Sequence, residues 1–254
     1  VLNADDEYYE KFRAVVPKGV KIITYGIKKD ADLKASNIEY SIHGAKFDVT
    51  TKDGEYKLDL NLNGAFSVYN TLCALAVAVA YGIPYDVSID TLNKVQNVAG
   101  RFEIVHKTPL VIVDYAHTPD GLENVLKAAR EITPEGSKLI CLFGCGGDRD
   151  TTKRPKMGAI AEKFADKVII TSDNPRSENP NQIISDIVAG LKSMNPERVY
   201  VEPDRGKAIR LSKSISTEKD VIVLAGKGHE DYQILADKTI HFDDREEARK
   251  TFNS

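Results

Sequence analysis

No apolar run in the 254 residues approaches the roughly 20 consecutive residues needed to cross a bilayer. The longest candidate, residues 72–81, is rich in Ala and Val and reads as a core helix. Neither sign of charge dominates. The 35 Lys and Arg against 38 Asp and Glu leave a formal net charge of -3, which argues against a dedicated nucleic-acid or membrane-surface partner. Cysteine is scarce. Cys73, Cys141 and Cys145 form an odd set in apolar or glycine-rich surroundings, which fits a reducing compartment, the cytoplasm, better than a disulfide framework. The five histidines show no zinc-type spacing. The opening residues, Val1-Leu2-Asn3-Ala4-Asp5-Asp6, contain neither an initiator methionine nor a signal peptide, so the chain reads as starting inside a longer protein. Internal repeats and low-complexity tracts are also missing.

What is present is a globular composition, 42% hydrophobic and 29% charged, long enough for one large domain or two ordinary ones. Residues 1–100 read as mixed α/β. A helix is expected over 5–15, a strand over 20–25, and a hairpin of 47–51 and 56–60 around an Asp53-Gly54 turn. A strong helix covers 66–81 and ends near Gly82 and Pro84, and a shorter one covers 87–95. From residue 110 the pattern changes to strands alternating with helices. Strands are expected at 110–113, 138–143, 167–171, 198–201 and 221–225. The helices are one opened by Thr118-Pro119-Asp120, then 156–164, 180–194 and 206–214. That alternation predicts parallel βαβ units and a Rossmann-like, mostly parallel doubly wound sheet. A terminal hairpin over 232–235 and 239–242 precedes a last helix at 244–252. The boundary falls near residues 100–108, dividing the chain into 1–102 and 103–254.

Four polar segments follow the apolar strands: Asp114-Tyr115-Ala116-His117, Gly144-Cys145-Gly146-Gly147-Asp148-Arg149-Asp150, Asp173-Asn174-Pro175-Arg176, and Gly226-Lys227-Gly228-His229-Glu230. Ligands of open α/β sheets bind beyond the carboxyl ends of the strands, so these segments predict one shared site. The glycine turn at 144–147 invites a dinucleotide reading. However, Arg149 stands where the third glycine of that fingerprint belongs. Arg149, Lys153 and Arg154 instead offer cations to a carboxylate or phosphate.

Asp173, Asn174 and Arg176 suit an amino acid. The acid accepts from an ammonium, the guanidinium grips a carboxylate in a two-pronged pair, the amide serves either, and Pro175 stiffens the loop. A loop salt bridge is the commoner role for such a segment. Gly226 and Gly228 allow close backbone approach, Glu230 adds a second acid, and Lys227 is a candidate phosphate contact. His229 is either a proton shuttle or a loop-bonded histidine. Asp114 suits ribose hydroxyls, and His117 either a nucleotide or the start of a helix. Arg101 sits at the expected domain junction, placed to reach phosphate. Asn70 is either a satisfied buried amide or a nucleotide contact. Cys145 reads first as a small residue in a tight turn and second as a reactive thiol.

Together these segments, with Asn3-Ala4-Asp5-Asp6, Tyr69-Asn70 and Gly100-Arg101-Phe102-Glu103, resemble the Mur ligase family over nearly the whole chain. These ATP-dependent enzymes add amino acids to the peptidoglycan precursor. The resemblance implies that 1–102 is the second half of the central α/β ATPase domain and 103–254 the carboxy-terminal domain. It assigns meso-diaminopimelate to Arg149, Asp173, Asn174, Pro175, Arg176, Gly226 and Glu230, and ATP to Asn70, Arg101, Asp114 and His117. The unchanged Asp-Asn-Pro-Arg motif favours diaminopimelate over lysine, because Arg176 then has a second carboxylate to bind.

The implied reaction joins meso-2,6-diaminopimelate to UDP-N-acetylmuramoyl-L-alanyl-D-glutamate (UDP-MurNAc-L-Ala-D-Glu). ATP phosphorylates the D-glutamyl carboxylate, the acyl phosphate meets the amine, and Mg2+ offsets phosphate charge. Positioning of this kind supplies roughly 7–11 kcal/mol. The chain departs from the family pattern in holding no Gly-x-x-x-x-Gly-Lys-Ser/Thr phosphate loop. The family's modified, magnesium-holding lysine is expected before Asn3. Hence no metal ligand and no catalytic residue is assigned within the chain, and the isolated chain is expected to be an inactive monomer. A lysine-adding ligase and a non-catalytic amino-acid-binding module are the alternatives.

Overall fold

Alternation of inward and outward side chains along the strand Gly44–Thr51 and the inner part of the strand Leu33–Ser41 builds the first sheet. The computed structural model describes residues 1–96 and 98–253, in two units, Val1–Gln96 and Asn97–Ser254. The first unit holds β1 (Leu2–Asn3), α1 (Tyr9–Ala14), β2 (Thr24–Gly26), β3 (Leu33–Ser41), β4 (Gly44–Thr51), β5 (Gly54–Leu60), α2 (Ala65–Ala80) and α3 (Tyr85–Asn93). Its strands lie in chain order, parallel through β1-β2-β3 and antiparallel through β3-β4-β5. Ala45, Phe47 and Val49 of β4 face inward. There they meet Val68, Leu72, Leu75 and Ala76 of α2, whose spacing lines one side of a helix.

Several expectations change in this unit. The 5–15 helix shrinks to α1, because the Asp5 carboxylate is drawn away to the backbone N–H groups of Ile27, Lys28 and Lys29. The 20–25 strand shrinks to β2, with Val20 left exposed. The β4–β5 turn has Lys52 and Asp53 as its central pair, since Thr51 pairs with Gly54; the glycine follows the turn at φ +141°. β3 was not anticipated. Its outward Lys34, Ser36 and Glu39 give it a polar sequence, and a bulge with Asn37 at φ +51° breaks the alternation.

The second unit holds β6 (Glu103–Lys107), β7 (Leu110–Asp114), α4 (Pro119–Glu131), β8 (Leu139–Phe143), α5 (Lys153–Phe164), β9 (Lys167–Ile170), α6 (Pro180–Val188), β10 (Val199–Val201), α7 (Arg205–Ser214), β11 (Val221–Ala225), the hairpin β12 (Tyr232–Ile234) and β13 (Thr239–His241), and α8 (Asp244–Phe252). Its main sheet has the order β10-β9-β8-β11-β7-β6, parallel except for the antiparallel edge strand β6, which was not anticipated. The chain steps in one direction from β7 to β8, β9 and β10, then returns through α7 to place β11 between β7 and β8. Right-handed crossovers put helices on opposite faces when the direction reverses. Accordingly α4, α5 and α6 pack together on one face, and α7 packs with α8 on the other.

Strands β7, β8 and β11 are buried along their whole length, as their unbroken apolar runs predict. Thr118 caps α4 by accepting from Gly121 N at 3.1 Å, with Pro119 at the first helical position. Helix α5 starts at Lys153, earlier than expected, because Pro155 is tolerated in a first turn. Helix α6 stops at Val188, where the chain turns so that Gly190 lies against the carbonyl of Pro155. Among the described residues no helix is long and apolar enough to cross a membrane.

Candidate functional site

Register places the polar segments at one level. Ala225 pairs with both Asp114 and Phe143, and Phe143 pairs with Ile170, so four strands of the second unit end side by side. The loops beyond them are stitched together by their backbones. Gly226 N donates to Asp114 O at 3.0 Å, Thr171 N to Phe143 O at 3.0 Å, and Gly147 N to Asn174 O at 2.9 Å. Gly147 passes so close to the 173–176 loop that a Cβ there would sit 2.0 Å from the Pro175 carbonyl oxygen, so only glycine fits.

Asp173, Asn174 and Pro175 are buried and Arg176 is half-buried, held in the left-handed region at φ +51° by its N–H bond to Ile234 O. The Arg176 Nη1 donates to Gly147 O at 2.9 Å, while its Nε and Nη2 donate to nothing among the described residues. Arg149 is exposed and its Nη1 caps its neighbour's carbonyl, Asp148 O, at 2.9 Å. Both cations border Gly146: a Cβ there would lie 3.0 Å from Arg176 Nη1 and 3.8 Å from Arg149 Cγ. In the same loop as Arg176, Asn174 Nδ2 donates to Glu230 Oε2 at 3.0 Å. The side chain of Gln233 donates to Asp173 O at 2.7 Å, and Gly226 lies against Asp173. Arg149, Asp173, Asn174, Arg176, Gly226 and Glu230 therefore lie on loops that touch one another, and they combine guanidinium donors with carboxylate acceptors.

A second cluster lies beside β7. Arg101 sits over the Tyr115 ring at 4.8 Å, with the rings of His117 at 4.7 Å and His229 at 5.3 Å from Tyr115. Arg101 and both histidines are exposed. Gly100 and Gly228 meet backbone to backbone beneath this group. His117 bonds its own loop through Nδ1 to Tyr115 O at 2.9 Å and leaves the rest of its ring exposed. Asp114 is buried and gives one oxygen to Phe102 N at 2.7 Å and the other to Ala116 N at 2.8 Å. Burial pushes its carboxyl above the usual range, against the pull of those two N–H groups.

Other sequence candidates take structural roles. Lys227, offered as a phosphate contact, is fully buried among Asp173, Asn174 and Glu230. Arg154 is buried as well, bound to Gly146 O, Glu178 and Asp186, and Lys153 donates to His117 O at 2.7 Å. Cys145 is buried, with Sγ 3.7 Å from Met157 Sδ, and burial pushes its thiol up to about 12, so it is the small turn residue and not a reactive thiol. Asn70, on α2 of the first unit, is exposed, which removes the buried-amide reading.

Sequence reasoning missed Gln233, the Tyr115 stack and a buried pair beneath the loops. In that pair Arg205 binds Asp244 at 2.6 and 2.7 Å and donates to the carbonyls of Ser172 (3.3 Å) and Ala225 (3.0 Å). No local pattern marks these residues, because their partners are distant in the chain. Among the described residues no three His, Cys, Asp or Glu side chains converge as metal ligands.

Residues 100–228 match the family model described as Mur ligase, glutamate ligase domain, and residues 1–78 match the Mur ligase middle domain. The UDP-N-acetylmuramoyl-L-alanyl-D-glutamate–2,6-diaminopimelate ligase of Thermosynechococcus vestitus is 48% identical over 254 residues, which span 98% of this chain and 50% of that protein. Ligase 1 of the same name from Clostridium acetobutylicum is 51% identical over 250 residues, covering 97% and 50%. A solved structure of a ligase of that name superposes with a TM-score of 0.67 at 36% identity, over 99% of this chain and 52% of that one. The chain thus spans about half the length of the curated relatives it matches.

Proposed function

The chain belongs to the Mur ligase family, and from that premise we propose that it forms the amino-acid-binding half of an ATP-dependent ligase joining meso-2,6-diaminopimelate to UDP-N-acetylmuramoyl-L-alanyl-D-glutamate in peptidoglycan synthesis. The first unit is then the latter part of a central domain, and the second a carboxy-terminal domain. One observation carries this reading. The Arg176 and Arg149 side chains border Gly146, whose loop is bonded to the 173–176 loop, and in that loop Asn174 donates to Glu230 while Lys227 joins Glu230 to Asp173. A diaminopimelate end group carries an ammonium and a carboxylate. The carboxylate meets Arg176 in a charge-assisted pair, with Arg149 beside it, and the ammonium meets Asp173 and Glu230. The second amine of the ligand is thereby left to project from the pocket as the nucleophile.

The exposed group around Tyr115 suits a nucleotide. Arg101 is placed for phosphate, and the His117 and Tyr115 ring surfaces are placed for a base. Asp114 serves there by fixing Phe102 and Ala116, because both its oxygens already accept from backbone. Asn70 is a separate candidate contact on the first unit. ATP supplies the phosphoryl group that turns the D-glutamyl carboxylate into a competent acyl donor. The described residues do not converge as a Mg2+ site, and no metal-dependent step is assigned to them. A cytoplasmic monomer handling small molecules is the corresponding expectation, with mass from light scattering as its check.

In the full-length enzyme, Arg176→Ala removes a charge-assisted contact and is expected to raise the KM for diaminopimelate roughly 10–100-fold. The KM for ATP should change little. Equal effects on both would overturn the assignment. A substrate panel with lysine decides the second member of each comparison, since lysine lacks the carboxylate that Arg176 would bind.

A further inference from the structure

Lys227 lies in the loop after β11, and its ammonium is 0% exposed. Taking an ammonium out of water costs several kcal/mol unless acceptors surround it. The acceptors are Asn174 Oδ1 at 3.2 Å, Asp173 Oδ1 at 3.5 Å and Glu230 Oε2 at 3.5 Å. Two of them, Asp173 and Glu230, are the groups assigned above to the ligand's ammonium. Lys227 Nζ also lies 5.7 Å from the centre of the Tyr232 ring.

The lysine fixes how these groups present themselves. The Asn174 Oδ1 accepts from Lys227 and from Ile234 N at 3.0 Å, which sets the amide flip and turns Nδ2 to Glu230 Oε2 at 3.0 Å. One oxygen of each carboxylate is thereby used inside the protein. The others, Asp173 Oδ2 and Glu230 Oε1, accept no hydrogen bond among the described residues, and Oδ2 faces Gly226. Two carboxylates against one buried ammonium leave a single negative charge and two free acceptor oxygens. That is the complement of one ligand ammonium.

We propose that Lys227 is a positioning and specificity-determining residue, a built-in counter-ion that orders Asp173, Asn174 and Glu230 before the amino acid arrives and sets their pocket to accept one ammonium group. The proposal rests on the amino-acid-binding reading above. Without Lys227, two close carboxylates face each other uncompensated, and one of them takes up a proton or swings away. A preformed ammonium subsite then becomes one the ligand must assemble at its own expense.

The test is a cycle of Lys227→Met, Glu230→Gln and the double variant in the full-length enzyme. Kinetics use diaminopimelate and, in parallel, lysine. Lys227→Met should raise the KM for the amino acid at least 30-fold, with the KM for ATP changing less than 3-fold. The double variant restores a single net negative charge, so its KM should lie below that of Lys227→Met. Thermal unfolding without ligand should follow the same order, Lys227→Met lowest and the double variant above it.

A change of less than 3-fold in the amino-acid KM, equal rises in both KM values, or a double variant no better than Lys227→Met would overturn the proposal. Use of lysine by the wild type would overturn diaminopimelate as substrate, while the lysine KM still reports on Lys227. If neither amino acid is turned over, the unfolding order alone decides the counter-ion role.

Discussion

Asp5 shows how much one carboxylate can organise. It accepts from Ile27, Lys28 and Lys29 N–H and from the Tyr69 hydroxyl at 2.8 Å. Burial opposes its charge, yet the four donors outweigh that and hold its carboxyl at about 2, below the ordinary 3.8. A carboxyl depressed on folding adds stability at any pH above its unfolded value. That stability is lost as pH falls from about 4 through 2. Asp5→Asn should therefore lower the stability of the first unit at pH 7 by about 1–3 kcal/mol. It should also flatten the acid limb of unfolding followed by circular dichroism; an unchanged acid limb would remove Asp5 from this role. The neighbours of this residue in the sequence suggested a helix start, and nothing in Asn3-Ala4-Asp5-Asp6 discloses partners more than twenty positions away.

Among elements, legibility followed burial. Strands β8 and β11 are apolar throughout, and β7 up to its last residue, Asp114, because helices cover both faces, so composition alone marks them. Their loops were legible for the same reason, since a polar residue directly after such a run can only stand at the sheet's rim. β3 and β6 were missed because each is half solvated: β3 through its outer face, β6 as an edge whose members are at most half-buried. Arg149, Asp173, Arg176 and Glu230 could be named from residue type and chain order. The inward turn of Lys227 could not, because only its distance to three acceptors separates it from a phosphate-binding lysine. Loop spacing itself is testable at Gly147. The added methyl of Gly147→Ala would meet the Pro175 carbonyl at 2.0 Å, so overpacking should cost about 1–3 kcal/mol of stability. It should also weaken diaminopimelate binding by displacing Arg176, measured by calorimetry. Wild-type affinity in this variant would mean that the two loops tolerate separation.

At the scale of the molecule, the chain carries two units whose matched relatives are about twice as long. It contains the residues proposed above for the amino acid and no Gly-x-x-x-x-Gly-Lys-Ser/Thr segment. The 254 residues alone are therefore expected to show no ATP-dependent turnover of diaminopimelate, assayed by phosphate release. Turnover without added protein would refute that division of labour.

The Arg205–Asp244 pair ties together two positions 39 residues apart. It supports the carbonyls of Ser172 and Ala225, immediately before the 173–176 and 226–230 loops. Losing either partner alone strands a buried charge at about 3–5 kcal/mol, whereas exchanging both for apolar residues can be neutral. A change confined to one of these two positions is thus expected to be penalised where a joint apolar exchange is not, so the two behave as a single unit beneath the loops.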